Sequence, residues 1–191
     1  MPGFELIDDQ EKNAVLNIFD EGGVLFAHGF DSLREKYHVR EFEAQCSTYF
    51  GSEYALALSS GTAALKCALK SLGVGIGDEV ITQGFNFIAT IESIIDCGAI
   101  PIICSVDENL HLDIDNCLEK ISSKTKAIVL VNMLGMTGPI CRLKTTLASK
   151  NIHLPIIEDA CESVGAKVDE KFSGVLADIG VFSFDHGKNL T

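Results

Sequence analysis

A chain of 191 residues is long enough for one sizeable core and short for two full domains. Hydrophobic residues make up 47% of it, which excludes a disordered chain. A formal net charge of -12 sets it against nucleic acid and anionic membrane as partners.

The opening Met1-Pro-Gly-Phe-Glu5 lacks the basic-then-apolar pattern of a secretion signal, and no apolar run is long enough to span a bilayer. The seven cysteines (46, 67, 97, 104, 117, 141, 161) are scattered, with no Cys-x-x-Cys and no histidine pair at zinc spacing. They read as small core residues of a reduced, cytoplasmic protein without a metal site.

In chain order, residues 10–19 place Ala14, Val15, Ile18 and Phe19 at helical spacing, and Gly22-Gly23 ends that helix. A second helix covers 39–50, with Gly51 as its C-terminal cap. From Tyr54 the pattern becomes alternating strands and helices. Strands are expected at 54–58, 79–82, 100–106, 127–131, 155–158, 164–168 and 179–184. Helices are expected at 62–72, 88–96, 114–121 and 140–150. Short apolar strands alternating with helices predict an α/β fold, a mostly parallel sheet with helices on both faces. The expected organisation is an N-terminal helical arm, 1–50, and one large domain, 51–191, with no second domain.

Four places along this pattern could carry chemistry. Ser59-Ser60-Gly61-Thr62 joins a strand to a helix; free amides at the helix start and nearby hydroxyls suit an anion such as phosphate. An ordinary helix cap uses the same residues. Gly73-Val-Gly-Ile-Gly77 follows a helix and precedes a strand, the reverse of a dinucleotide fingerprint, and reads as a cap and turn. Gln83-Gly-Phe-Asn-Phe87 falls at the carboxyl end of a strand, where open α/β sheets place ligands, and its aromatics serve either as core or as a flat face for a ring.

Glu158-Asp159 puts two carboxylates at another strand end. There Asp159 could pair with a cationic ring nitrogen, cap the next segment or hold magnesium. Finally, Lys188 follows the strand 179–184; a lysine there is either a solvated loop charge or a nucleophilic amine. His186, two residues before it, has no assigned role.

Taken together, Ser60-Gly-Thr-Ala-Ala-Leu65, Gly77-Asp-Glu-Val80, Glu158-Asp159-Ala and Asp178-Ile-Gly-Val-Phe-Ser-Phe184 followed by Lys188 resemble the DegT/DnrJ/EryC1/StrS family of nucleotide-sugar aminotransferases. The resemblance runs from about Gln10 to Thr191. It implies the large domain of a fold-type-I enzyme that uses pyridoxal 5'-phosphate. By position, Lys188 would form the Schiff base with the cofactor and move the substrate proton. Asp159 would hold the pyridine nitrogen, and Phe87 would stack on the ring. Gly61, Thr62, Ala63 and Ser183 would bind the phosphate, and Glu162 would lie near the ring hydroxyl.

The implied reaction moves an amino group from an amino acid, typically L-glutamate, to a keto-sugar on a nucleotide, for surface polysaccharide or glycoconjugate synthesis. A homodimer is implied at full length. Family members are about twice as long, so the resemblance also implies a C-terminal domain missing here. Three alternatives stay open: an inactive truncated cofactor-binding fragment, a sugar dehydratase of the same fold (which carries His where Lys188 stands), and a lyase acting on amino acids. Two departures bear on sugar recognition. Asn132-Met-Leu-Gly135 stands where the family often has His-x-Tyr-Gly, and Gln83-Gly84 replaces Pro-Ser.

Overall fold

The computed structural model describes residues 3–191. Its contacts divide the chain into two compact units, one running to Ala57 and taking in His186–Thr191, the other Leu58–Asp185.

In the first unit, α1 (Asp9–Asp20) starts at a capping box. Asp8 accepts a hydrogen bond from Gln10 N at 2.7 Å, and Glu11 accepts one from Asp8 N at 2.8 Å. Gly22 and Gly23, at φ 108° and 69°, end the helix as expected. No residue of α1 is buried, so the apolar set Val15, Leu16 and Phe19 lies exposed. The second helix, α2 (His38–Phe50), ends at Gly51 in the left-handed conformation.

The second unit is built on one sheet. Its strands are β1 (Glu79–Gln83), β2 (Ile100–Cys104), β3 (Thr125–Val131), β4 (Ile156–Asp159) and β7 (Ile179–Val181). A separate two-stranded hairpin is formed by β5 (Lys167–Val168) and β6 (Lys171–Phe172). The five-stranded sheet is wholly parallel, in the order β2-β1-β3-β4-β7. The helix α3 (Gly61–Ser71) leads into β1, and crossovers are made by α4 (Ile88–Asp96), α5 (Ile114–Glu119) and α6 (Ile140–Ser149). This is the expected α/β architecture.

Side chains alternate across the strands, so each strand serves two cores. Val80, Val129, Val131, Ile157 and Val181 pack against Leu65, Leu69 and Ile94 of α3 and α4. On the other face Ile81, Ile128, Leu130 and Ile156 pack against Cys117 of α5 and Leu143 and Leu147 of α6. Each fully buried Leu or Ile contributes roughly 1.5–3 kcal/mol relative to exposure, so the sheet with both covers is what holds this unit together. Cys97, Cys104 and Cys117 are buried core residues, while Cys67 and Cys141 are exposed. A hydrogen bond with the Cys104 thiol, together with burial, holds the Cys117 thiol well above the ordinary range.

Three expected strands need correction. Residues 54–58 form no strand: Tyr54 and Leu56 are exposed, and the Ala57 N–H goes to the Glu43 carboxylate at 2.8 Å. An apolar alternation makes a strand only where a neighbouring backbone accepts its ladder, and none does so among the described residues. The expected strand 164–168 shrinks to the two residues of β5, and 179–184 to β7.

The last strand also fixes a close backbone approach. A Cβ on Gly180 would lie 1.6 Å from the Gly174 carbonyl oxygen, and one on Gly174, at φ 91°, would meet the Phe182 ring at 2.2 Å. Gly180→Ala should therefore destabilise the protein by about 3 kcal/mol or more. Gly77→Ala, where nothing lies within 4 Å, should lose only the cost of its left-handed backbone, about 1 kcal/mol. Urea denaturation of the two variants beside the parent measures the difference.

Candidate functional site

Open α/β sheets bind ligands beyond the carboxyl ends of their strands, where the strand order reverses. Here the reversal falls between β1 and β3, since the chain passes from β1 outward to β2 and then back to β3. The residues closing that edge are polar and buried: Gln83 ends β1, Asn132 follows β3, and Glu158 and Asp159 end β4.

Strand alternation sends the two carboxylates to opposite faces. Glu158 shares its face with the α5–α6 core and is fully buried. Its Oε1 accepts hydrogen bonds from Asn132 Nδ2 at 2.8 Å and Ser173 Oγ at 3.1 Å, and its Oε2 accepts one from Leu176 N at 3.0 Å. Asn132 also accepts the Gly138 N–H at 2.7 Å, so this network ties the loop after β3 to the loop before β7. Glu158 is a scaffold carboxylate.

Asp159 shares its face with α3 and α4 and is 3% exposed. Its Oδ2 accepts the Thr90 hydroxyl at 2.9 Å, and its Oδ1 accepts the Cys161 N–H at 3.2 Å. Thr90 lies in the first turn of α4, and its own N–H donates to the Phe87 carbonyl at 3.1 Å. Phe87 precedes α4 as its cap residue and is 55% exposed. The Phe87 backbone and the Asp159 carboxylate are thus linked through a single residue.

On the other side, Cys161 leads to the start of α3. A Cβ on Gly61 would sit 3.1 Å from Cys161 Sγ and 3.1 Å from Ser183 Cβ, so the helix enters where only glycine fits easily. Ser60 caps α3, its hydroxyl accepting the Ala63 N–H at 3.1 Å. That bond occupies Ala63 and leaves the Gly61 and Thr62 amides, which have no acceptor within the helix, at the positive helix end, where an anion is favoured. Ser183, buried beside Gly61, adds a hydroxyl.

The fold thus brings Gly61, Thr62, Ala63, Ser183, Asp159 and Phe87 into one neighbourhood of the second unit. Glu162 lies on the loop after β4, where its Oε2 accepts the Leu134 N–H at 3.2 Å. Lys188 belongs to the first unit, where its carbonyl accepts the Gly3 N–H. Thr90 and Asn132 are not among the site residues expected from the sequence. Thr90 has one signal, its i+3 spacing from Phe87; Asn132 has its place at a strand end and its departure from the family's His-x-Tyr-Gly pattern.

Such a donor set can hold an anion at α3, a cationic ring nitrogen at Asp159 and a flat ring near Phe87. Pyridoxal phosphate, with its phosphate, pyridine nitrogen and aromatic ring, fits these residue types. No helix among the described residues is long and apolar enough to cross a membrane, and no group of three or more His, Cys, Asp and Glu could hold a metal among them.

Comparison with known proteins agrees with this chemistry. The model of the DegT/DnrJ/EryC1/StrS aminotransferase family matches residues 26–191. GDP-perosamine synthase of Vibrio cholerae is 32% identical over 186 residues, covering 97% of this chain and 48% of that protein. Among solved structures, a putative sugar aminotransferase of Streptococcus pneumoniae, in its pyridoxal-phosphate form, superposes with a TM-score of 0.87. It is 27% identical, covering 97% of this chain and 48% of that one. GDP-4-keto-6-deoxy-D-mannose-3-dehydratase of E. coli, with hydrated pyridoxal phosphate, gives a TM-score of 0.80 at 27% identity, covering 97% and 46%. The chain spans about half the length of the relatives it matches.

The Glu158 network yields a stability test. Asn132→Ala strips the buried carboxylate and the Gly138 N–H of partners together and should cost about 3 kcal/mol, read as a lowered urea midpoint at unchanged slope.

Proposed function

We propose a function from one premise: this chain belongs to the DegT/DnrJ/EryC1/StrS aminotransferase family. Our reading is that it carries the cofactor site of a pyridoxal-phosphate-dependent sugar aminotransferase. L-Glutamate would be the amino donor, a nucleotide-linked keto-sugar the acceptor, and surface polysaccharide or glycoconjugate synthesis the setting. A homodimer is the assembly we assign to the longer protein. The observation that carries the reading is the placing of a buried carboxylate, Asp159, near a glycine-started helix capped by Ser60.

When bound, pyridoxal phosphate supplies an electron sink through which an amino group can pass between a donor and a keto acceptor. In this reading the Gly61 and Thr62 amides and the Thr62 and Ser183 hydroxyls grip the phosphate, with the α3 dipole favouring its charge. Asp159 keeps the proton on the pyridine nitrogen, since a carboxylate in a poorly solvated place favours a cation at its side. Phe87 covers one face of the ring and excludes water from it. Glu162 is assigned to the neighbourhood of the ring hydroxyl. Lys188 supplies the reactive amine and then carries the substrate proton; its assignment rests on the sequence motif. The same lysine separates this reading from a sugar dehydratase, which the likeness to the E. coli dehydratase would otherwise support equally.

Mixing the purified chain with pyridoxal phosphate should give a visible absorption band that L-glutamate bleaches, and Lys188→Ala should give no such band. A band of equal strength in Lys188→Ala would contradict the assignment. A Lys188-dependent band indifferent to glutamate would remove glutamate as donor.

A further inference from the structure

We infer that Thr90 is a positioning residue for the cofactor site: its hydroxyl fixes the carboxylate of Asp159 in the orientation that meets the pyridine nitrogen. The inference rests on the assignment of Asp159 made above. Thr90 itself is given no contact with the cofactor.

Three observations carry it. First, Thr90 and Asp159 are 1% and 3% exposed, and their bond of 2.9 Å is out of reach of competing water. A hydroxyl donating to a buried carboxylate is worth more than one at the surface. Second, the bond joins residues 69 positions apart, where the threonine hydroxyls of α2 and α6 stay local. Thr48, Thr145 and Thr146 each donate to the carbonyl four residues back. Thr90 lies in the first turn of α4, where the carbonyl four residues back belongs to the preceding loop, and its hydroxyl is directed to Asp159 instead.

Third, the geometry constrains the carboxylate completely. Thr90 holds Oδ2 and the Cys161 N–H holds Oδ1, so neither oxygen can rotate away without losing a partner. A threonine suits this task better than a serine, because its branched Cβ has few rotamers open to it in a helix. Removing the hydroxyl leaves the charge in place but frees one of its two anchors. The carboxylate then loses its alignment with a ring nitrogen.

The test uses the full chain, pyridoxal phosphate carrying nitrogen-15 in its ring, and four variants: Thr90→Val, Thr90→Ala, Thr90→Ser and Asp159→Asn. Two quantities are read: the dissociation constant, by titration of the visible band, and the nitrogen-15 chemical shift, which reports whether the ring nitrogen is protonated. Thr90→Val keeps the shape and lacks the donor; Thr90→Ala serves if the valine variant does not fold, circular dichroism deciding which is used.

The expected result is about tenfold weaker binding without the donor, with the ring nitrogen shifted toward its unprotonated value. Thr90→Ser should recover both to within about twofold, because it restores the donor. A purely structural threonine would lower the melting temperature and leave the nitrogen shift untouched, and that result overturns the inference. If Asp159→Asn alters the shift and neither donor-free variant does, Thr90 has no positioning role and the assignment of Asp159 stands. If Asp159→Asn also changes nothing, or the parent chain takes up no cofactor, the assignment falls and the inference with it.

Discussion

Two adjacent carboxylates close β4, one wholly buried and the other 3% exposed, and neither has a cationic side chain bonded to it among the hydrogen bonds described. Burying a carboxylate is costly unless neutral donors take up its lone pairs. The strand's alternation divides the task between the two faces. Glu158 is satisfied by Asn132, Ser173 and the Leu176 amide, and Asp159 by Thr90 and the Cys161 amide. Five donors from loops and helices are therefore drawn to one strand end. That requirement shapes the carboxyl edge of the sheet.

The same edge gives meaning to the two places where the sequence departs from the pattern of its family. Gln83, fully buried, accepts the Val131 N–H at 3.1 Å and donates to the Phe85 carbonyl at 3.0 Å, which fastens the loop leading to Phe87 onto β3. Asn132 joins the network of Glu158. Both side chains supply the backbone with partners where the strands stop. Their first consequence is thus for the stiffness of the loops after β1 and β3.

Much of the sheet was legible because buried parallel strands read as unbroken apolar runs, and because the glycines at 22, 23 and 51 mark helix ends through a backbone conformation that side chains disfavour. The strand expected at 54–58 failed for a reason outside its own residues, since strand formation depends on a partner elsewhere in the chain. The site was legible in residue types: a glycine-started helix, an aromatic after β1 and an acid ending β4. Its wiring was not. Thr90 and Asp159 are 69 positions apart, and Asn132 and Ser173 are 41, so no local pattern connects them. Nor could the sequence tell Glu158 from Asp159 in role; that distinction comes from which face each side chain meets.

In the proposed function, Lys188 holds pyridoxal phosphate covalently. The most direct test is to load the chain with the cofactor, reduce with sodium borohydride, digest, and locate the modified lysine by mass spectrometry. The account predicts pyridoxyl modification at Lys188, with other lysines modified only at the level seen after denaturation. Modification spread over several lysines, or concentrated on a different one, would contradict it.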